Sequence, residues 1–281
     1  MRSVLTYFRE RFPLLAVLIL GLGTAIYIVA VCSPEQPDSV TFSLTGLVAL
    51  AFTSFLLRQR VMDEFKDRGH DDLNYPNRPV QRGAISIKNL VGLGIAAFAL
   101  ELSSVISIAA ISSNRQSIYY YLAVIAFSLL TAREFFIPNW LNRHFTTYYI
   151  SHQLIFVFFI LWGFSIFGTK DELRTSAGAI SFILIMASLE IMRKYEIRTN
   201  SAGEVVRDTY LAVWGKTQAN LVLALGVAIS GVLLGFFECT VLSIIGLISG
   251  LIIIGVRKSE RAVQAATIGG FFVLGLVAYF S

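Results

Sequence analysis

The amino-acid order predicts an all-α integral membrane protein, a bundle of nine transmembrane helices with its N-terminus in the cytosol. Three observations carry this prediction. Hydrophobic residues make up 56% of the 281 positions and charged residues only 15%, against about 25% charged in an ordinary soluble domain. The mean hydropathy is +0.69. The apolar residues are also gathered into runs near the ~20 residues that a helix needs to cross a bilayer core about 30 Å thick. Such runs are too long and too continuous for the alternating strands of a membrane barrel.

Taken in order, the runs cover residues 12–32, 42–57, 90–111, 118–136, 148–167, 177–191, 219–237, 241–256 and 263–280. The first follows Arg2, Arg9 and Arg11, as the core of a signal peptide would. It is longer than such a core and no small-x-small cleavage site follows, so it reads as a retained helix. Two connections stand out as long and polar, 58–89 after the second run and 192–218 after the sixth. The chain 1–281 therefore reads as a single transmembrane domain with two polar loops.

The distribution of Lys and Arg sets the orientation, because these residues accumulate on the cytosolic side of membrane proteins. Of 23, 20 lie in the N-terminal tail or after the second, fourth, sixth and eighth runs; the opposite side has Arg115, Lys170 and Arg174. Both polar loops are thus expected in the cytosol, at the cell inner membrane. The net charge of +5 is then an orientation signal rather than a patch for an acidic macromolecule, and no nucleic-acid partner is expected. Two cysteines exclude a cysteine zinc cluster or a disulfide framework, and three histidines leave little for a histidine-built metal site. Cys32 and Cys239 fall near the outer ends of their runs, so a bridge between them is geometrically conceivable.

The densest charge is Asp63-Glu64-Phe65-Lys66-Asp67-Arg68-Gly69-His70-Asp71-Asp72. Asp63, Asp67 and Asp71 recur every four residues, which on a helix continuing from the second run stacks three carboxylates on one face. Carboxylates aligned in this way repel, and either ion pairs with Lys66 and Arg68 or a hard cation such as Mg²⁺ would relieve them.

The segment that follows is Asn74-Tyr75-Pro76-Asn77-Arg78-Pro79-Val80-Gln81-Arg82-Gly83. Together the two stretches resemble the first signature of the UbiA-type intramembrane prenyltransferases, Asn-Asp-x-x-Asp-x-x-x-Asp followed by Asn-x-Pro-x-Arg-Pro and a glycine. Asp67, Asp71, Asn74, Pro76, Arg78, Pro79 and Gly83 fall in register, and Asp63-Glu64 stands where that family has Asn-Asp. The resemblance implies a UbiA-like helical bundle and an isoprenyl diphosphate substrate held through Mg²⁺. Asp63, Asp67 and Asp71 become the catalytic metal-binding set, with Glu64 beside them, and Arg78 and Arg82 become candidates for gripping phosphate oxygens.

In that family the loop after the sixth span carries a second Asp-x-x-x-Asp. Here it reads Glu190-Ile191-Met192-Arg193-Lys194-Tyr195-Glu196-Ile197-Arg198, and the paired aspartates are missing. Two alternatives stay open. Glu190 and Glu196 bind one metal, or Arg193, Lys194 and Arg198 meet the diphosphate directly and replace a second cation.

Three further positions stand out. Glu101 lies in the middle of the third run, where an ionisable group is costly and marks a cavity, a relay or a buried partner. His152, beside Tyr148, Tyr149, Ser151 and Gln153, is a candidate for an acceptor-site cavity. Arg143, at the exit of the fourth run, is a weaker phosphate candidate.

Three functions fit. The first is a Mg²⁺-dependent prenyltransferase passing an isoprenyl group to a lipophilic or aromatic acceptor in the lipid bilayer. The second is an intramembrane terpene cyclase acting on the same diphosphate. The third is a non-catalytic lipid-binding or transport protein on the same scaffold.

Overall fold

In a computed structural model, residues 2–32, 38–169, 171–237, 240–256 and 259–280 are described. Lys170, Arg257 and Lys258 of the orientation pattern, and Cys239, lie outside these residues. Cys32 is a buried free thiol.

The chain divides into two compact units, Met1–Gly168 and Thr169–Ser281. The first holds α1 (Arg2–Arg11), α2 (Leu14–Cys32), α3 (Ser39–Lys66), α4 (Arg68–Asn74), α5 (Ile87–Ile111), α6 (Gln116–Ala132), α7 (Pro138–Arg143), α8 (Phe145–Gln153) and α9 (Ile155–Phe167). The second holds α10 (Glu172–Arg193), β1 (Arg198–Thr199), β2 (Val205–Val206), α11 (Tyr210–Phe237), α12 (Thr240–Gly255) and α13 (Glu260–Phe280). Each apolar run of the sequence falls on one of these helices, or on the α8–α9 pair. Among the described residues, six helical stretches are long and apolar enough to cross a membrane: α2, α3, α5, α8–α9, α10 and α11.

Local chemistry explains several boundaries. Asp38 accepts a hydrogen bond from the Thr41 amide at 2.8 Å, Ser86 from the Asn89 amide at 3.2 Å, and Asp171 from the Leu173 and Arg174 amides at 2.9 and 3.0 Å. Each side chain thereby satisfies donors that the first helical turn leaves open, in α3, α5 and α10 respectively.

Other boundaries correct the reading from sequence. The second run does not stop at Leu57, because α3 continues through Arg58 to Lys66; residues 58–66 are helix rather than loop. The fourth run ends at Ala132, not Phe136. Glu134, Phe135 and Phe136 follow in a left-handed turn, with φ of 47°, 53° and 62°, a conformation that costs non-glycine residues roughly 1–2 kcal/mol each. The second polar loop closes early, since α11 already begins at Tyr210.

The residues before the first span are not a loose tail. In α1, Tyr7 is fully buried with Val61, Ile85 and Leu90, and Val4 packs against the same cluster. The aromatic core of the first unit sets Phe52 edge-on to Phe159 (4.7 Å) and Tyr121 edge-on to Trp162 (4.7 Å). In the second unit α11 and α12 meet through glycine. A Cβ added at Gly246 would lie 2.7 Å from the Gly231 Cα, so small residues are what let these backbones touch.

Candidate active site

At 28 residues, α3 is about 42 Å long by the 1.5 Å rise of a helix, more than the roughly 30 Å core. Its charged C-terminal end is the overhang. The row of aspartates exists in the backbone, with Asp67 N–H bonded to Asp63 O, Asp71 N–H to Asp67 O and Tyr75 N–H to Asp71 O, each at 2.8 Å. Between α3 and α4, however, Asp67 leaves helical geometry (φ −90°, ψ 6°). The three side chains then separate. Asp63 and Asp67 are 42% and 44% exposed, whereas Asp71 is 3% exposed.

Asp71 turns into a buried ion-pair cluster. Arg78 Nη1 lies 2.5 Å from Asp71 Oδ2, and its guanidinium sits 3.8 Å from the centre of the Tyr75 ring. Arg11 Nη2 approaches the same Asp71 oxygen at 4.0 Å and donates through Nε to Glu64 Oε1 at 2.9 Å. Arg60 Nη2 donates to that Glu64 oxygen as well, also at 2.9 Å. Glu64 is thus buried, with Oε1 shared by two arginines and Oε2 without a hydrogen-bond partner among the described residues. Arg82 closes the structure from outside, donating to Glu10 Oε1 and to the Asn77 carbonyl, both at 2.6 Å. That bond holds the Glu10 carboxyl below its usual range. Arg82 is therefore a strap between the first loop and α1.

Asp63 and Asp67 share a different cation. Lys66 Nζ is 3.5 Å from Asp63 Oδ1 and 3.7 Å from Asp67 Oδ1, and it donates to Tyr148 Oη at 2.9 Å. The Tyr148 ring stacks on His152 at 4.1 Å. His152 Nδ1 lies 2.8 Å from the Tyr148 carbonyl, which can only accept, so Nδ1 carries the hydrogen. Phe135, from the left-handed turn, meets the His152 ring edge-on at 5.8 Å. His152 therefore backs Tyr148, and its Nε2 is buried without a hydrogen-bond partner among the described residues.

Glu101 takes one of the roles its position allowed, pairing with a buried base. Arg58 Nε and Nη2 donate to its two oxygens at 2.7 and 2.8 Å. Tyr121 Oη adds a bond at 2.8 Å and Ser128 Oγ accepts from Arg58 Nη1 at 2.9 Å. Glu101 is fully buried and Arg58 nearly so. Arg58 therefore belongs inside the bundle and not to the cytosolic loop.

In the second unit the loop cations are paired with nearby acids. Arg193 makes a two-pronged bond to Glu190 at 2.7 and 2.8 Å, and Lys194 lies 3.7 Å from the same carboxylate. Arg198 pairs with Glu196 at 2.5 Å and approaches Asp208 at 3.8 Å, in the short antiparallel hairpin of β1 and β2. Tyr195 donates to Asn220, and burial, with Glu260 adding to it, pushes its hydroxyl up to about 12. Arg143 is exposed at the end of α7.

Among the described residues no group of three or more His, Cys, Asp or Glu is arranged to hold a metal ion. Mg²⁺ commonly takes one or two protein carboxylates and completes its shell with water and substrate phosphate. Asp63 and Asp67, half-exposed, one turn apart and approached by Lys66 at 3.5 and 3.7 Å, fit that role; Glu64, Asp71 and Glu190 each hold an arginine at 2.9, 2.5 and 2.7 Å. The composition of this cluster was only partly visible in advance. Residue order marks Arg11 only as a charge before the first run and Tyr148 only as a neighbour of His152, and it gives Arg60 no role; yet Val4, Tyr7 and Arg11 at helical spacing are the signal that α1 carries a buried face and presents an arginine at its end.

The fold and this site define an all-helical, multi-pass integral membrane protein with a charged cluster at the overhang of a spanning helix. No family model matches the chain, and no curated protein matches it in sequence. Among solved structures, a digeranylgeranylglyceryl phosphate synthase in membranes matches with a TM-score of 0.56 at 13% identity, covering 99% of this chain and 98% of that one. That neighbour is a UbiA-type intramembrane prenyltransferase, so the resemblance read from the first polar loop holds at the level of fold.

Proposed function

We propose that this chain is a Mg²⁺-dependent intramembrane prenyltransferase that ionises an isoprenyl diphosphate at the first polar loop and transfers the prenyl group to a lipophilic or aromatic acceptor. The observation that carries the reading is the half-exposed Asp63–Asp67 pair next in sequence to a cluster of partly buried arginines around Glu64 and Asp71, on a chain whose fold is shared along 99% of its length with a membrane prenyltransferase.

Asp63 and Asp67 would hold the metal, which when bound neutralises the diphosphate's charge as the carbon–oxygen bond breaks. The rest of the task falls to the chain itself. Arg11, Arg60 and Arg78 outnumber Glu64 and Asp71, so the cluster keeps a fixed positive charge that needs no rearrangement as negative charge develops. Asp71 and the Tyr75 ring fix the direction of Arg78. The apolar helices of the bundle keep water away from the allylic cation, leaving it to the acceptor. The nine-helix topology with this loop in the cytosol, at the cell inner membrane, belongs to the same proposal.

One observation favours a second reading, a non-catalytic lipid-binding or transport protein. Asp71, the third carboxylate of the signature, is committed to Arg78 at 2.5 Å.

Purified protein incubated with Mg²⁺ and isoprenyl diphosphates of several lengths, with and without membrane lipid extract, separates these readings. Release of diphosphate with a prenylated lipid supports the transferase. Release with a cyclic hydrocarbon points to a terpene cyclase. No release at any chain length, with thermal stability unmoved by substrate and metal, overturns both enzyme readings and leaves the binding protein.

A further inference from the structure

Lys66 is in contact with both half-exposed carboxylates, and the proposed chemistry gives it no task. Its ammonium lies within 4 Å of Asp63 Oδ1 and Asp67 Oδ1. Although the two acids are about half exposed, the lysine side chain is only 12% exposed. It is held from below by a 2.9 Å bond to Tyr148 Oη, with its ammonium 5.5 Å from the centre of that ring. Tyr148 in turn is clamped by its stack on His152, which is itself braced by Phe135. The cation is therefore tethered, not a solvated side chain passing by.

A tethered lysine changes what the carboxylate pair attracts. Two aspartates alone present two negative charges to a divalent cation; with Lys66 between them the net charge is halved. A metal ion alone is then bound weakly, whereas a metal ion carried by a diphosphate brings its own anionic ligands and meets an ammonium able to bond to phosphate oxygen. From this geometry we infer that Lys66 is a positioning residue that makes the Asp63–Asp67 site selective for a metal–diphosphate complex over the free metal ion. The inference rests on the metal role proposed above for Asp63 and Asp67 and adds the order in which the components assemble.

The test measures Mn²⁺ binding by electron paramagnetic resonance on the purified full-length protein, with and without inorganic pyrophosphate. Wild-type protein is expected to bind Mn²⁺ at least ~10-fold more tightly when pyrophosphate is present. Lys66→Met is expected to bind Mn²⁺ alone at least ~10-fold more tightly than wild type, the least that removing a unit charge about 4 Å away should produce at a partly exposed site. Lys66→Arg keeps the cation and should follow wild type, which separates charge from packing; Tyr148→Phe, which frees the ammonium, should fall between wild type and Lys66→Met. Thermal unfolding confirms that each variant is folded.

If Lys66→Met binds Mn²⁺ no more tightly than wild type while Asp67→Asn loses binding, the role of Lys66 is refuted and the metal pair stands. If wild type and Lys66→Met both lack saturable Mn²⁺ binding with and without pyrophosphate, the metal reading itself falls, and this inference with it.

Discussion

Glu101 Oε2 accepts a hydrogen bond from Arg58 Nε at 2.7 Å inside the first helical unit, across 43 residues of sequence. Both side chains are buried, and Tyr121 and Ser128 complete the network. An ion pair so deep is not needed to raise stability, because desolvating two charges offsets their attraction. Removing one partner is a different matter, since the other remains as an uncompensated charge.

Glu101→Gln is therefore expected to destabilise the protein by about 3–5 kcal/mol, the usual cost of breaking a buried pair on one side. The double substitution Arg58→Met with Glu101→Leu should recover most of that loss. Thermal unfolding in detergent checks both; a Glu101→Gln protein as stable as wild type would show that Arg58 finds another partner.

For the carboxylate pair, Asp67→Asn should abolish diphosphate release while leaving the fold intact, because Asp67 is 44% exposed and little packing depends on it. The comparison is turnover with an isoprenyl diphosphate against the unfolding temperature of the same preparation. Turnover at the wild-type rate would refute the metal role.

The anchoring of α1 can be tested apart from any activity. Tyr7 is fully buried against Val61, Ile85 and Leu90, so Tyr7→Ala removes a large core side chain, a change worth about 3–5 kcal/mol for the aromatic residues measured. The expected outcome is release of α1, seen as rapid tryptic cleavage after Arg9 or Arg11 under conditions where wild type resists. Equal resistance would mean that the ion pairs of Arg11 and Arg82 hold α1 without the tyrosine.

Topology offers a fourth test. If the chain makes the nine crossings proposed above from a cytosolic N-terminus, a reporter fused after Ser281 reports the non-cytosolic side. Activity of a cytosol-only reporter at that position would break the nine-helix arrangement.

Much of this was legible from residue order because the signals are local. Whether a run of residues prefers lipid depends on its own composition, so the helices around Ile28, Phe52, Val105 and Phe159 could be placed without knowing their neighbours. The aspartates of the first loop could be found for the same reason, since four-residue spacing is a property of one helix. Glu101 could be marked as costly wherever it pointed.

What residue order did not reveal are the partnerships. The backbone keeps Asp63, Asp67 and Asp71 in one ladder, yet Asp71 faces Arg78 and Arg11 while Asp63 and Asp67 face Lys66. The break at Asp67 and the docking of α1 bring that about, and neither has a signature in the loop itself. Arg58 looked like a cytosolic anchor because it follows the apolar run, but its guanidinium is turned inward by a carboxylate on α5. Charged side chains choose partners by distance in space, and in a helical bundle the nearest opposite charge is commonly on another helix, tens of residues away in the chain. Burial sharpens that choice, because a charge removed from water and left unpaired costs several kcal/mol. Residue order therefore marks the apolar runs and the charges, and the packing of helices decides which of those charges are paired and which stay exposed.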